Sequence, residues 1–282
     1  MAVGNKPTIS GLLITGGRPM KNLPVPKKSL GQHWLTDRTA LQSIVEAAKL
    51  TEGDEVLEIG PGTGTLTEVL LESGANIFAL EFDREAIKPL EKRFARQLDA
   101  QVHIEEGDIR SFDFARMPSG YKIVANIPYY LTANLFRKLI DTDHKPTIAS
   151  LLVQKEVAER VTAKPGQMSF VAVALQLYYV VSSGEVVPAY LFDPPPKVDS
   201  QVLILAKRAE PLFPDVNVDK FFDLVKAGFS ERRKKLKTSI KTGVDSGVDT
   251  QDLLIKARIS PDARAQELAL EEWYRLYQIL QN

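Results

Sequence analysis

The chain has no cysteine and little histidine, and both absences limit its chemistry. Without cysteine it can form no disulfide bond and no thiolate metal site. Its three histidines, His33, His103 and His144, are scattered and do not show the spacing of a metal site. We therefore expect a protein that uses no metal.

The chain also lacks an excess of charge and a long hydrophobic run. Its 36 Lys and Arg residues balance 36 Asp and Glu residues, so a polyanion must be bound by a local basic patch. The longest apolar run, residues 170–181, contains Gln176 and is shorter than the ~18 residues of a membrane span. The first residues do not resemble a signal peptide. We expect a cytoplasmic protein with no membrane partner, and nothing in the composition requires more than a monomer.

What is present is an alternation of strands and helices. Short apolar segments predict strands at residues 55–59, 75–80, 102–105, 121–125 and 148–153. Amphipathic helices are expected at 39–50, after Gly64, and at 86–98. Two later β segments, 180–187 and 202–206, would add an antiparallel edge. This order is typical of an α/β fold with a doubly wound, mostly parallel sheet.

The sequence predicts three parts. Residues 1–26, rich in Gly, Pro and Lys, are expected to form a flexible extension. Residues 27–210 contain the predicted sheet. Residues 211–282 predict a small all-helical domain, with helical segments at 221–240 and 251–255 and a helix that starts at Ser260-Pro261. The last helix carries an apolar stripe formed by Leu270, Trp273, Leu276, Tyr277 and Leu280.

A glycine-rich turn follows the first strand of the sheet. Gly60, Gly62 and Gly64 lie between this strand and a helix, where a backbone without side chains approaches a ligand closely. A simple tight turn is the alternative interpretation. The spacing differs from the dehydrogenase fingerprint, and no Gly-Lys-Ser/Thr follows, so neither a nicotinamide site nor a phosphate loop is expected.

Two carboxylates end the next two strands. Glu81 is placed to bind both hydroxyls of a ribose, and Asp108 to accept a hydrogen bond from an adenine amine. Acids at strand ends are often only solvated or capping. Because ligands of such sheets bind at the carboxyl ends of the strands, the three features together predict an S-adenosylmethionine site.

The segment Asn126-Ile127-Pro128-Tyr129 ends the fourth strand, beside the expected methyl group. The Asn126 side-chain oxygen and the Ile127 carbonyl are able to accept the two hydrogens of a planar amine, and Tyr129 is able to stack on its base. Positioning and electrostatics would then supply most of the acceleration. A strand-terminating turn is the alternative. We name this segment the amine clamp.

The order of these motifs resembles the KsgA family, the bacterial small-subunit (16S) ribosomal RNA adenine dimethyltransferases. The resemblance extends over residues 27–282 and includes 27–35, the glycine turn, the amine clamp, the proline-rich loop 192–200 and the block 229–236. It implies a class I, Rossmann-like methyltransferase fold with a helical RNA-binding domain. The departures are His33-Trp34, where Asn-Phe is usual, and Ile127, where Leu is usual.

The resemblance also implies a role for each site residue. The cofactor, S-adenosylmethionine, with S-adenosylhomocysteine as its product, would be bound by Gln32, His33, Leu35, Gly60, Gly62, Gly64, Glu81, Asp108 and Asn126. The catalytic residues that hold the flipped target adenine would be Asn126, Ile127, Pro128, Tyr129 and Phe192. Phe192 would cover the base from the face opposite the amine clamp.

The densest basic run predicts where RNA phosphates bind. It contains Arg232, Arg233, Lys234, Lys235, Lys237 and Lys241, and Lys27 and Lys28 would extend it. A solvated helix face is the alternative. The resemblance implies that the RNA is a 3′-terminal hairpin loop of 16S ribosomal RNA, in a 30S assembly intermediate, with two adjacent target adenosines.

Two other functions stay open at this point. A large-subunit (23S) ribosomal RNA adenine methyltransferase of the macrolide-resistance type would share the glycine turn and the amine clamp. A ribosome-assembly factor that acts mainly by binding would share the basic run. The loop 194–198 and the block 229–236 favour the small-subunit enzyme.

Overall fold

The centre of the fold is a mostly parallel β-sheet. The computed structural model describes residues 26–27, 31–231, 233–242 and 249–281. Its strands are β1 (Trp34–Leu35), β2 (Glu55–Ile59), β3 (Asn76–Glu81), β4 (Val102–Glu106), β5 (Lys122–Asn126), β6 (Ile148–Gln154), β7 (Tyr179–Val187), β8 (Phe192–Asp193) and β9 (Ser200–Lys207).

Seven strands form one sheet in the order β4-β3-β2-β5-β6-β9-β7, and β1 pairs with β8 in a separate two-stranded sheet. Strands β2 to β6 pair in parallel. Strand β9 runs antiparallel to both β6 and β7. This confirms the predicted doubly wound sheet with an antiparallel edge. The strand order reverses between β2 and β5, and in such sheets ligands bind beyond the carboxyl ends at that point.

Ten α-helices lie in the described residues. Six accompany the sheet: α1 (Arg38–Ala47), α2 (Thr65–Glu72), α3 (Arg84–Arg93), α4 (Thr132–Asp141), α5 (Lys155–Val161) and α6 (Phe170–Tyr178). Four follow it: α7 (Val218–Phe229), α8 (Leu236–Ser239), α9 (Thr250–Lys256) and α10 (Leu270–Gln281). No helix in these parts of the chain has the length and hydrophobicity to cross a membrane.

Helices cover both faces of the sheet, and successive side chains of each strand point to opposite faces, so both sets are buried. On β2, Val56 packs in a core with α1 and α2, whereas Leu57 packs in a core with α4 and α5. A further core joins α7 to α10 around Trp273, which is fully buried. Helix α6 contacts both sides, since Leu175 packs under the sheet and Val173 packs against the C-terminal helices.

Two helix predictions in the C-terminal region are wrong. The segment 221–240 is not one helix, because α7 ends at Phe229 and α8 begins only at Leu236. Ser260-Pro261 does not open a helix but a turn, in which the Ala263 N–H donates to the Ser260 carbonyl. The Ala263 carbonyl in turn accepts from the Leu236 N–H at 2.8 Å, so contact with α8 fixes the turn. The next α-helix begins at Leu270.

Candidate active site

A cleft lies beyond the carboxyl ends of β2, β3, β4 and β5. It is partly open to solvent, and its empty space, counted together with adjoining open solvent, is about 970 Å³. The predicted site residues that line it are Gln32, His33, Leu35, Gly60, Gly62, Glu81, Asp108, Asn126, Ile127, Pro128, Tyr129 and Phe192. The fold thus brings four separate sequence motifs to one site.

The glycine turn forms the floor of this cleft. Gly60 and Gly62 have φ angles of 69° and 55°, in the left-handed region that favours glycine. A Cβ atom on Gly62 would lie 2.5 Å from Cζ3 of Trp34, so the indole covers the turn without room for a side chain. Gly64 is not at the cleft. Its missing side chain instead accommodates Phe94, which a Cβ would approach to 2.6 Å.

Glu81 ties the glycine turn to the end of β3. Its Oε2 accepts a hydrogen bond from the Gly62 N–H at 2.9 Å, and its Oε1 accepts from the Asp83 N–H at 2.7 Å. Burial raises the pKa of the Glu81 carboxyl, against the two backbone donors that lower it. A carboxylate has about four lone-pair positions, so two remain available to a ligand in the cleft.

Asp108, at the end of β4, is held by a neighbour that the sequence did not single out. Arg110 donates to both of its oxygens, with Nε at 3.0 and 2.8 Å, and this pairing lowers the pKa of Asp108. The same guanidinium lies 5.9 Å from the ring centroid of Phe82, which is half exposed at the cleft. Phe82 and Arg110 have no sequence motif of their own, and only their neighbours Glu81 and Asp108 mark them.

The amine clamp is rigid at both ends. Asn126 is the last residue of β5, and the buried Ile127 follows it into the sheet core. The Pro128 carbonyl accepts from the Leu131 N–H at 2.9 Å, which starts a short 3-10 helix at Tyr129. The Tyr129 hydroxyl lies 2.9 Å from the buried Ser200 Oγ, so its ring is anchored to β9.

The two-stranded sheet forms the wall opposite the clamp. Leu35 pairs with Phe192, and Trp34 with Asp193. Beside them the His33 Nδ1 lies 2.7 Å from the Pro194 carbonyl oxygen. The His33 ring also stacks near Tyr129, with centroids 6.1 Å apart. This wall joins the N-terminal segment to the proline-rich loop that carries Phe192.

Lys27 is bound within the protein. Its Nζ contacts Asp83 at 2.8 Å and Glu85 at 2.9 Å, and its backbone N–H donates to the Gln32 side chain. These contacts fasten the start of the N-terminal segment to the loop after β3. The predicted RNA contact of Lys28 falls outside the described residues.

The C-terminal basic run is exposed around a buried apolar anchor. Leu236 is fully buried in the helical core. Lys235 pairs with Asp262 at 2.7 Å, and Lys234 pairs with Glu231. Of the other predicted RNA contacts, Arg232 lies outside the described residues, and those with exposed or half-buried side chains are Arg233, Lys237 and Lys241.

Glu58 does not line the cleft, but its burial beside the glycine turn was missed by sequence reasoning. It lies in β2, two residues before Gly60, and is 1% exposed. Its Oε2 accepts from the Thr67 hydroxyl at 2.7 Å, while its Oε1 meets no hydrogen-bond donor among the described residues. Burial raises the pKa of Glu58 to about 8. The available signal was a glutamate inside an apolar parallel strand, where charged residues are disfavoured.

No metal-binding group is found in the described part of the chain, since it contains no set of three or more His, Asp and Glu side chains that would hold an ion. The cleft offers carboxylate and amide oxygens as acceptors and backbone N–H groups as donors. These suit an organic ligand with hydroxyl and amine groups.

Comparison with known proteins agrees with this arrangement. The family model described as ribosomal RNA adenine dimethylase matches residues 25–282. The chain is 40% identical to the ribosomal RNA small subunit methyltransferase A of Rippkaea orientalis, over 92% of this chain and 99% of that protein. It is 36% identical to the protein of the same name from a Nostoc species, over 90% and 98% of the two chains.

Solved structures share the architecture. A dimethyladenosine transferase from Plasmodium falciparum superposes with a TM-score of 0.75 at 27% identity, covering 86% of this chain and 96% of that one. The 23S rRNA methyltransferase ErmE superposes with a TM-score of 0.73 at 25% identity, covering 88% and 100%. The class I methyltransferase fold is therefore confirmed. By its sequence and its fold, the chain belongs to the ribosomal RNA adenine dimethylase family and is a methyltransferase.

Proposed function

We propose that this enzyme transfers methyl groups from S-adenosylmethionine to the exocyclic amines of two adjacent adenosines in the 3′-terminal hairpin loop of 16S ribosomal RNA, during 30S biogenesis. The observation that carries the proposal is that the amine clamp opens into the same cleft as Glu81 and Asp108. When bound, S-adenosylmethionine supplies an electrophilic methyl group on a sulfonium ion.

The residues of the cleft fit this cofactor. Glu81 has lone pairs left for the two ribose hydroxyls, and Asp108 for the adenine amine. Phe82 offers a half-exposed ring between these two carboxylates. Gly60 and Gly62 let the main chain approach the amino-acid end, where Gln32 also lines the cleft.

The amine clamp performs the chemistry by positioning. An adenine amine is a weak nucleophile because its lone pair is delocalised into the ring. The Asn126 side-chain oxygen and the Ile127 carbonyl accept its two hydrogens and so favour the tetrahedral, nucleophilic nitrogen. Tyr129 and Phe192 stack on the two faces of the base and exclude water. The proton that the amine loses leaves to solvent, so no strong general base is required.

The RNA itself is bound outside the cleft. The protein as a whole carries no net charge, so a local basic patch must bind the RNA phosphates. Arg233, Lys234 and Lys235 are the exposed cations that form this patch. Lys27 contributes to the N-terminal wall through Asp83 and Glu85 rather than to the phosphate contacts. We further propose that the protein acts as a cytoplasmic monomer, where its 30S intermediate is assembled.

The small-subunit RNA is favoured over the large-subunit RNA by the relatives. The proteins that match along nearly the full chain at about 40% identity are named for the small subunit, whereas the large-subunit enzyme ErmE is 25% identical. A role in assembly by binding alone is compatible with the basic run but gives the amine clamp no purpose.

Methyl incorporation from labelled S-adenosylmethionine tests the proposal. Small ribosomal subunits that lack the modification are compared with purified large subunits, and nuclease digestion identifies the product. Dimethyladenosine from the small subunit alone is the expected result. Label in large-subunit RNA alone would assign the enzyme to the macrolide-resistance type. Cofactor binding without label in either RNA would support a binding role.

A further inference from the structure

A second cavity lies behind the amine clamp and has no part in the reaction described above. It is open to solvent and lies between α4 and α5 on one side and α6 and α7 on the other. Its empty space, counted together with adjoining open solvent, is about 1390 Å³. Tyr129 lines both this cavity and the active-site cleft, so the two spaces share one aromatic side chain.

The floor of the second cavity is apolar and rich in aromatic rings. Phe136 and Phe222 are buried, and Phe170 is half buried. The Phe170 and Phe222 rings meet edge to face with centroids 5.8 Å apart. Phe170 is the partly exposed ring of this floor, and such a ring in an open cavity suits a planar, partly polar group such as a nucleobase, since every base has a π-face.

The rim of the cavity carries three exposed cations, Arg137, Arg160 and Lys226. Arg160 makes no ion pair among the described residues. Arg137 and Lys226 each make one ion pair at 3.4 Å, of the exposed kind that contributes little. The Lys226 ammonium also lies 5.9 Å from the Phe170 ring centroid. Asp141 and Glu156 also line the rim, so the cations exceed the anions by one.

We infer that this cavity binds the nucleotide next to the target adenosine, with its base on the aromatic floor and its phosphate at the cationic rim. The inference rests on the proposed function. While one of two adjacent adenosines occupies the amine clamp, the other must lie one backbone unit away. The cavity shares Tyr129 with the cleft, and it combines the two features that a nucleotide requires, a stacking surface and cations.

The occupant is a nucleotide of the bound RNA rather than a free metabolite. The cavity opens to solvent and offers its cations at the rim, not as a closed set of donors around a ligand. Its affinity for a single nucleotide would be low, and it becomes useful when the clamp already holds the neighbouring residue of the same strand.

A double-mutant cycle, which combines a substitution in the protein with removal of a base from the RNA, tests the inference. Ala133 is exposed on α4 and lines the cavity, so Ala133→Phe fills part of it. Asn134 is exposed on the same helix but does not line the cavity, which makes Asn134→Phe the matched control. Each protein, with S-adenosylhomocysteine bound to prevent turnover, is titrated with the hairpin RNA and with two RNAs in which one of the adjacent adenosines is abasic.

For the wild type we expect one abasic RNA to bind roughly 5- to 150-fold more weakly than the intact RNA, the range for loss of one stacked base. Ala133→Phe should bind the intact RNA about as weakly as the wild type binds that abasic RNA. Its affinity for the abasic RNA should be only slightly lower than its affinity for the intact RNA. Asn134→Phe should behave as wild type. Unchanged S-adenosylhomocysteine affinity and melting temperature exclude misfolding. The inference would be overturned if Ala133→Phe bound the intact RNA as tightly as wild type does. It would also be overturned if the affinity losses from Ala133→Phe and from the abasic RNA multiplied when the two changes were combined.

A second variant tests the rim without filling the cavity. Arg160→Gln should weaken binding of the intact RNA several-fold and lower the slope of log Kd against log salt by roughly the amount expected for one phosphate. A salt slope equal to that of wild type would contradict the role of the rim. Methylation of the intact hairpin by the wild-type enzyme is measured in parallel. If the wild-type enzyme does not methylate the hairpin, the proposed function is refuted. If it does methylate the hairpin but the affinity losses from Ala133→Phe and from the abasic RNA multiply, only the role of the second cavity is refuted.

Discussion

The active-site cleft and the C-terminal basic run hold their charges in opposite ways. In the cleft, the Glu81 carboxylate is buried and accepts two backbone hydrogen bonds, so its atoms have fixed positions. In the basic run, Lys234 and Lys235 are exposed and pair with acids on the same surface. Ligand binding in the cleft is therefore expected to depend on the positions of single atoms. RNA binding by the basic run is expected to depend on how many charges it carries.

The largest expected effect follows from removing the clamp amide. Asn126→Ala removes one proposed acceptor of the amine hydrogens, and kcat should fall roughly 100-fold or more, as when one preorganised polar partner is removed from other active sites. RNA affinity should stay within a few-fold of wild type. Single-turnover methylation and RNA titration measure the two separately. Asn134→Ala, an exposed asparagine on α4, is the control. A kcat near that of wild type would contradict the role of Asn126.

The next effect concerns the cofactor. Glu81→Ala removes the proposed ribose contacts and leaves the Gly62 and Asp83 N–H groups without their acceptor. Hydrogen bonds to a charged group contribute about 1.5–3 kcal/mol, so the Kd for S-adenosylhomocysteine should rise roughly 10- to 150-fold. Calorimetry measures this, with the exposed Glu91→Ala as control. An unchanged Kd would exclude Glu81 from the cofactor site.

A third test uses pH to separate buried from exposed charge. Because the folded-state pKa of Glu58 is raised to about 8, the folded protein keeps a proton that the unfolded chain loses above its ordinary pKa of 4.5. Stability should fall as pH rises between these values, by about 1.4 kcal/mol per pH unit at most. Glu58→Gln removes this loss, so its melting temperature relative to wild type should increase from pH 5 to pH 8. A constant difference would show that Glu58 ionises normally.

The smallest effect for each residue is expected in the basic run. Neutralising Arg233, Lys234 and Lys235 together to Gln should lower RNA affinity and reduce the salt slope by about 0.7–0.9 for each phosphate that the protein no longer neutralises. Cofactor affinity should not change. The control neutralises Lys88 and Lys92, which are exposed on α3. A salt slope identical to that of wild type would leave the run as a solvated surface.

The sequence predicted the cleft well because its parts are local. A glycine turn, an acid at a strand end and the amine clamp each mark the carboxyl end of one strand, and a parallel sheet brings such ends together. Roles set by distant contacts were not predictable. Lys27 resembles part of a basic patch, but its partner Asp83 is 56 residues away in sequence. From the sequence, Glu58 is only one polar residue in a strand. Its raised pKa could not be predicted because its complete burial is visible only in the structure.

The same reason accounts for the wrong helix start at Ser260-Pro261. Serine and proline have the local preferences of a helix start, and that pattern was identified correctly. Contact with Leu236 instead holds the segment as a turn. Tertiary contacts thus overrode a correct local preference in the C-terminal helices, where adjacent segments pack without a sheet to fix their order.

The wall formed by β1 and β8 also has a consequence for synthesis. His33 and Pro194 are 161 residues apart in sequence, yet they meet at one wall of the cleft. A growing chain carries the glycine turn and the amine clamp long before it carries Phe192. Closing so long a loop is favourable only once the intervening strands have paired. The cleft therefore gains the wall that carries Phe192 only after the central sheet is assembled, and an unfinished chain lacks that side of the cleft.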